Sequence, residues 1–173
     1  MNTTPCPRCG GRDTAQLTGF ARHCRACRCD FGFRDPQQVI DAAAEVRKLC
    51  FNIGGFFGPS YEIYLSASRF TVRAREAEPR ILTESDEKFV HTPTRFKRII
   101  RRLYRHYHIS DWNREYVNPD VFDGTQWELT LFLKNKRKLR FSGSNAYPPH
   151  FRKMLRLLAP YFHARGFYFG TSV

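Results

Sequence analysis

Four cysteines near the start of the chain constrain its folding more than any other feature. They form two Cys-x-x-Cys pairs, Cys6 with Cys9 and Cys24 with Cys27, and fourteen residues separate the pairs. Two such pairs on tight turns can place four thiolates in a tetrahedron around one Zn²⁺, with Zn–S distances of about 2.3 Å. The gap is slightly shorter than the roughly fifteen to twenty residues common between such pairs. Because four sulfurs leave no open coordination position, the sequence predicts a structural zinc site.

A fifth cysteine, Cys29, closely follows the second pair and leaves the ligand set open. Cys27 repeats the two-residue spacing of the first pair, which favours it as the ligand. Cys29 could compete with Cys27 or remain a free thiol. A redox dithiol is the other interpretation of a Cys-x-x-Cys pair, but two pairs around a hairpin-length gap favour zinc. Cys50 lies in an apolar stretch far away and is expected to be an ordinary buried thiol.

The residues that surround the two cysteine pairs resemble a known sequence pattern. Cys6-Pro-Arg-Cys9-Gly-Gly is followed by Arg22-His-Cys24-Arg-Ala-Cys27-Arg-Cys29-Asp-Phe. Over about the first 33 residues, this pattern resembles the zinc ribbons at the front of some transposases and transcription factors. The resemblance implies a zinc-held, three-stranded ribbon of a kind that often holds nucleic acid or protein. Arg28 departs from the pattern, because such ribbons usually carry glycine after the second pair.

Composition narrows the classes of partner. In 173 residues, 42% are hydrophobic, which is enough to bury a core and argues against global disorder. A formal net charge of +13 predicts a surface that attracts polyanions such as nucleic acid or an acidic protein. No apolar run approaches 18 residues, so we expect no membrane span, and the short polar start predicts no signal peptide. Cysteines spaced as metal ligands, in a chain with no predicted signal peptide, indicate that the protein resides in a reducing cytoplasm.

Three segments are predicted along the chain. Residues 1–34 form the zinc ribbon, 35–48 a helical connector, and 49–173 a second domain. Asp35 is a candidate N-cap with Pro36 at the first helical position, opening a helix over 37–48. The second domain begins with alternating apolar residues over 49–53, 61–65 and 70–75, a pattern typical of strands.

The clearest helix of the second domain starts at Thr92-Pro93, where Thr92 can cap it. Apolar residues follow at spacings of three and four and predict one buried face. The opposite face, which ends near residue 108, is basic and carries no acid; its cations are Arg95, Lys97, Arg98, Arg101, Arg102 and Arg105. Like charges one turn apart repel, so an anionic partner or solvent is expected to cover this face.

The pattern of apolar residues from residue 125 onward indicates the fold class. A strand over 125–133, a turn at 134–137, a returning strand over 138–142 and an amphipathic helix from Phe151 predict an α+β protein. Its architecture is a zinc ribbon plus a two-layer sandwich of antiparallel sheet and helices. The segment Asp123-Gly-Thr-Gln-Trp127-Glu-Leu, with Ser142-Gly-Ser-Asn-Ala-Tyr-Pro-Pro-His-Phe151, resembles a domain of uncharacterised bacterial proteins. The resemblance implies a bacterial or phage origin and no particular activity.

Basic residues on three segments are the candidate nucleic-acid contacts: Arg22, Arg25 and Arg28 of the ribbon; Lys97, Arg98, Arg101, Arg102 and Arg105 of the helix; Lys134, Lys136 and Arg137 of the turn. If two of these segments share a face, they can follow a phosphate backbone. The preferred hypothesis is therefore a zinc-dependent, non-enzymatic protein that binds DNA or RNA.

Two alternatives belong to other classes. One is an interaction module or inhibitor that docks on an acidic protein. The other is a small metal-dependent nuclease, with Asp120 and Asp123 as metal ligands and with His106 and His108 nearby. Both aspartates lie in turn-like sequence, where Asp is expected for backbone reasons, so catalysis is the weaker interpretation. Trp112 and Trp127 are expected in the core.

Overall fold

The structure is a computed structural model, and it describes residues 4–18, 21–32, 34–55, 60–75, 90–121 and 124–164. Three helices, one 3₁₀ turn and nine strands lie in these ranges. In chain order they are β1 Thr14–Thr18, β2 Ala21–Cys24, β3 Asp30–Phe31, α1 Pro36–Ala44, β4 Val46–Gly55, β5 Ser60–Ser66, β6 Phe70–Arg75, α2 Pro93–Arg105, the 3₁₀ turn Ile109–Asp111, β7 Glu115–Val117, β8 Thr125–Leu133, β9 Lys138–Ser144 and α3 Phe151–His163.

The first three strands form a small antiparallel sheet in the order β1-β2-β3. The described residues of this region, 4–18 and 21–32, are called the cysteine module below. Its buried core consists of Cys6, Cys24 and Phe31, with Cys27 and Cys29 packed against them. A core of this size is too small to stabilise a fold alone, so the module needs a cross-link in addition to its core.

The described residues from 34 onward form the body, which is built on a six-stranded sheet in the order β6-β5-β4-β8-β9-β7. Neighbouring strands are antiparallel except β7, which pairs parallel with β9 at the sheet edge. Alternate residues of the central strands, including Leu49, Phe51 and Leu129, are fully buried against α2 and α3. Apolar alternation thus gives one covered face, and the predicted two-layer α+β architecture is confirmed.

Both long helices form where their sequence signals predict. The side chain of Thr92 accepts a hydrogen bond from the backbone N–H of Arg95 at 3.1 Å, and Pro93 occupies the first turn of α2. Trp112 and Trp127 are buried in the core as expected, at 6% and 3% exposure. The strands predicted over 61–65, 70–75 and 125–133 are also confirmed.

Two local predictions are corrected. The connector helix does not reach residue 48, because α1 ends at Ala44 and Val46 already belongs to β4. In β4, Val46 pairs with Leu133 and Lys48 with Phe132 of β8, and this sheet pairing outweighs the tendency of residues 46–48 to continue the helix. Strand β7 was not predicted, since three residues are too short to show alternation.

The cysteine module and the β8–β9 turn lie at opposite ends of the sheet. Phe151 begins α3 and packs on Trp127 at 4.8 Å between ring centroids. Its neighbour His150 lies beside Gly10 of the module, which fixes the module at the Trp127 end. The turn at 134–137 follows the other end of β8, and nine strand residues span about 30 Å.

Candidate metal centre and basic groove

The four predicted ligand cysteines come together. The Sγ atoms of Cys6, Cys9, Cys24 and Cys27 all lie within 4.8 Å of one another. The Cys6–Cys27 and Cys9–Cys24 separations are both 3.5 Å. Since Zn–S bonds of about 2.3 Å put tetrahedral sulfurs about 3.8 Å apart, the four atoms fit a closed four-sulfur metal site.

The two loops that carry these cysteines share one backbone pattern. The Gly10 N–H donates to the Cys6 carbonyl at 2.8 Å, and the Arg28 N–H donates to the Cys24 carbonyl at 2.8 Å. Both donors have positive φ, 74° at Gly10 and 55° at Arg28. Arg28 therefore occupies the left-handed position that glycine holds in the first loop. That conformation costs a non-glycine residue about 1 kcal/mol or more.

Cys29 is explained by the same correspondence. The Cys6 N–H donates to the Gly11 carbonyl at 2.8 Å, and the Cys24 N–H donates to the Cys29 carbonyl at 2.9 Å, so Cys29 is the counterpart of Gly11. Its Sγ lies 3.3 Å from the Sγ atoms of both Cys6 and Cys27. The fifth thiol thus sits at one edge of the cluster, close enough to replace Cys27.

Protonation of the cluster is uneven. Desolvation raises the pKa of the buried Cys6 thiol well above its ordinary value. At Cys27, desolvation is outweighed by hydrogen bonds from the Cys29 backbone and from neighbouring thiols, and the pKa falls to about 6. A metal that binds all four sulfurs must therefore displace protons, so its affinity is expected to fall as pH is lowered.

Exchange of Cys29 for serine tests which thiols are ligands. We expect the Cys29→Ser variant to keep one equivalent of zinc, because the four-sulfur set remains complete. Cys27→Ser should keep weaker binding, since the Cys29 sulfur lies 3.3 Å from Cys27. The double variant should lose the metal. Zinc content and competition with a chelator measure these outcomes; loss of metal in Cys29→Ser alone would make Cys29 a primary ligand.

The cysteine module contacts the residues at the C-terminal end of α2 and at the N-terminal end of α3. The Phe31 ring meets the His108 ring edge-on, with centroids 6.2 Å apart. A Cβ at Gly10 would lie 3.7 Å from His150 Cε1, so the first cysteine loop closely approaches the start of α3. Desolvation and nearby Lys153 lower the pKa of His150 to about 4, which keeps this contact neutral. The candidate metal centre is therefore packed beside both helices.

A groove between α2 and α3 carries a strong positive charge. It has a volume of about 470 Å³, and five cationic side chains line it: Arg95, Arg98, Arg102, Lys153 and Arg156. Neither helix contains an acidic residue. Among the described residues lining the groove, none is acidic. The groove lined by these five cations is called the basic groove below.

The basic groove contains some of the predicted nucleic-acid contacts together with cations that were not predicted. Arg98 and Arg102 line it, while Lys97, Arg101 and Arg105 are exposed on the same helix. Sequence reasoning missed Lys153 and Arg156, although the absence of acids from the sequence of α3 was an available signal. Their charges matter because α3 packs beside α2, which a pattern within one helix does not reveal.

Other predicted contacts lie elsewhere. Arg22 donates to Thr14 Oγ1 at 3.2 Å, and Arg25 forms an exposed ion pair with Asp13 at 3.4 Å. Lys134 pairs with Glu45 at 3.3 Å. Lys136 and Arg137 are exposed in the same turn as Lys134. Of the predicted contacts, Arg98 and Arg102 are the ones that line the basic groove.

Residues of the nuclease hypothesis show no metal site in the described part of the chain. Asp120 is exposed, and Asp123 lies outside the described residues. His106 caps the C-terminus of α2, and His108 has a left-handed φ of 50° beneath the module. Over the ranges that the structure describes, the cysteines are the group able to hold a metal ion.

Fold and site define a small α+β protein in which a four-cysteine candidate metal centre lies beside a basic groove. None of its described helices is both long and apolar enough to span a bilayer. Comparison with known proteins gives no match: no family model, curated protein or solved structure is significantly similar to this chain. What the protein does has to be inferred from the geometry of its own site.

Proposed function

We propose that this protein binds nucleic acid through the basic groove and that a zinc ion holds the cysteine module beside it. The observation that carries the proposal is the convergence of cations from two helices on one groove, whose described lining residues include no acid. Arg98 and Arg102 are one turn apart on α2 and repel each other. Such an arrangement lowers stability unless an anion lies against it, so the charge pattern favours a polyanionic ligand.

The shape of the basic groove suits a phosphate backbone. It follows two packed helices, and α2 alone has 13 residues, or about 20 Å of length. Several phosphates of one strand fit along that distance. Four of its five cations are arginines, whose guanidinium groups bind phosphate oxygens in a bidentate manner. Contacts of this kind give affinity without sequence choice.

Zinc fits the cysteine cluster for chemical reasons. Four thiolates within tetrahedral reach are the donor set that structural zinc prefers, and they leave no position for a substrate. Zinc would supply a cross-link for a module whose own core is three buried residues. Its contribution to binding is to hold Arg8 of the module beside Lys153 and Arg152, which line one cleft at the start of α3.

Salt dependence tests this function. If the five cations of the basic groove neutralise about five phosphates of duplex DNA, log Kobs should fall against log salt with a slope of about −4 to −5. Fluorescence anisotropy between 50 and 300 mM salt, with duplex DNA, single-stranded DNA and single-stranded RNA in turn, gives both slope and preference. Affinity that stays flat across this range for all three ligands would refute the proposal.

A further inference from the structure

A second cleft lies between the cysteine module, the start of α1 and the end of α2. Its volume is about 400 Å³, within the size range of small-molecule sites. Three arginines from separate elements line it: Arg22 of β2, Arg34 before α1 and Arg105 of α2. Among the described residues that line the cleft, one is acidic, Asp111. Positive charge therefore predominates, as an anionic ligand requires.

Three residues that line this cleft carry polar atoms without a hydrogen-bond partner among the described residues. Tyr104, His108 and Ser110 line it, and Tyr104 is only 3% exposed. In the part of the chain that the structure describes, the Tyr104 hydroxyl, His108 Nε2 and Ser110 Oγ are buried without a hydrogen bond. Buried polar groups are almost always hydrogen-bonded, and each exception needs an explanation. A bound ligand that supplies donors and acceptors explains three exceptions in one place.

The walls of the cleft favour a ligand with a flat ring. Phe31, Tyr104 and His108 supply aromatic surface, and Pro36 and Val39 supply aliphatic surface. Nucleobases stack on such side chains and present hydrogen-bonding edges to neighbouring polar groups. The arginines can hold a phosphate at the same time. A base, a sugar and one phosphate match this combination of rings, polar atoms and guanidinium groups.

We propose that this cleft binds a nucleoside monophosphate, either free or as the terminal nucleotide of a strand held in the basic groove. The strand-borne form rests on the proposed function, whereas the free form does not. Arg102 of the basic groove and Arg105 of the cleft are three residues apart on α2, so the two sites adjoin. A strand leaving the groove at this end of α2 reaches the cleft directly.

Calorimetry with small ligands tests the cleft. AMP and CMP should each bind at least about tenfold more tightly than adenosine or inorganic phosphate, because only the nucleotides use both the rings and the arginines. For the strand source, oligonucleotides of one length with a terminal phosphate should bind more tightly than those with a terminal hydroxyl. Mononucleotides that bind no better than inorganic phosphate would overturn the proposal.

Three single variants localise the binding. Arg34→Gln should weaken AMP binding at least about tenfold. Arg12→Gln removes the same charge from an exposed position of the module that does not line the cleft, and it should change affinity by less than about twofold. Equal losses in the two variants would show diffuse charge attraction and contradict a defined site.

Tyr104→Phe separates a ligand contact from a structural one. It removes a buried hydroxyl that has no partner in the described structure, so the ligand-free protein should melt about 2–4 °C higher while AMP binds more weakly. A lower melting temperature with unchanged AMP affinity would mean that the hydroxyl serves the fold alone, and the proposal would fail.

Failure of the cleft and failure of the basic groove give different results. Oligonucleotide binding without any AMP binding would overturn the cleft proposal and leave the proposed function standing. AMP binding that Arg34→Gln abolishes, in a protein with no affinity for longer strands, would overturn the proposed function and support the cleft as a mononucleotide site.

Discussion

Exchange of Cys24 for serine is expected to abolish stoichiometric zinc binding and to unfold the cysteine module while the body stays folded. Cys24 is fully buried, and its Sγ lies 3.5 Å from that of Cys9. Cys29, whose sulfur contacts are to Cys6 and Cys27, is not among the four sulfurs that all lie within 4.8 Å of one another, so we do not expect it to replace Cys24. Structural zinc sites contribute on the order of 10 kcal/mol to folding of their modules.

Metal analysis and amide hydrogen exchange measure this result. The variant should contain no zinc, and amides of β1 and β2 should exchange freely. Amides of β4 and β8 should remain protected, because the core of the body is a separate cluster. Cys50→Ser is the matched control, since Cys50 lies in β4 and should not affect zinc content. A Cys24→Ser protein that retains one equivalent of zinc would contradict the candidate metal centre.

Reversal of two groove charges, in an Arg98→Glu and Arg102→Glu double variant, should reduce nucleic-acid affinity on the order of a hundredfold or more at moderate salt. Both side chains are exposed and line the basic groove. Each change removes an attractive contact and places a carboxylate near a phosphate, and like charges in contact cost several kcal/mol. The salt slope should also become less steep by about two.

A matched control distinguishes local contact from net charge. Lys136→Glu with Arg137→Glu makes the same charge change at the β8–β9 turn, whose residues do not line the basic groove. Its effect should be small beside that of the groove variant, and equal effects would show that only overall charge attracts the ligand. The free energy of unfolding of the groove variant should stay level or rise by a few tenths of a kcal/mol, because each new carboxylate lies within one turn of remaining arginines.

Local sequence signals predicted the elements well where one element carries its own pattern. Thr92 and the stripe behind Pro93 predicted α2, and the repeated two-residue spacing predicted which cysteines converge. Prediction failed where pairing across the chain decides the outcome. Val46 joins β4 through its partner Leu133, and β7 exists through its pairing with β9.

The same limit applies to the site. The charges of α2 were visible in the sequence, but the basic groove needs Lys153 and Arg156 from a helix about 50 residues later. The second cleft combines Arg22, Arg34 and Arg105, which no local spacing connects. Sequence patterns thus identified the four cysteines that converge, whereas juxtaposition of separate elements created the cationic surfaces.

The left-handed conformation of Arg28 predicts how a bound metal ion would leave the candidate centre. Gly10 adopts its loop conformation freely, whereas Arg28 holds the matching one against a steric penalty. The second loop therefore gains more by relaxing, and we expect demetallation to start with release of Cys24 and Cys27. Cys6 and Cys9 would then be the last pair to hold the departing ion and the first to capture a new one, which gives assembly of the centre a direction along the chain.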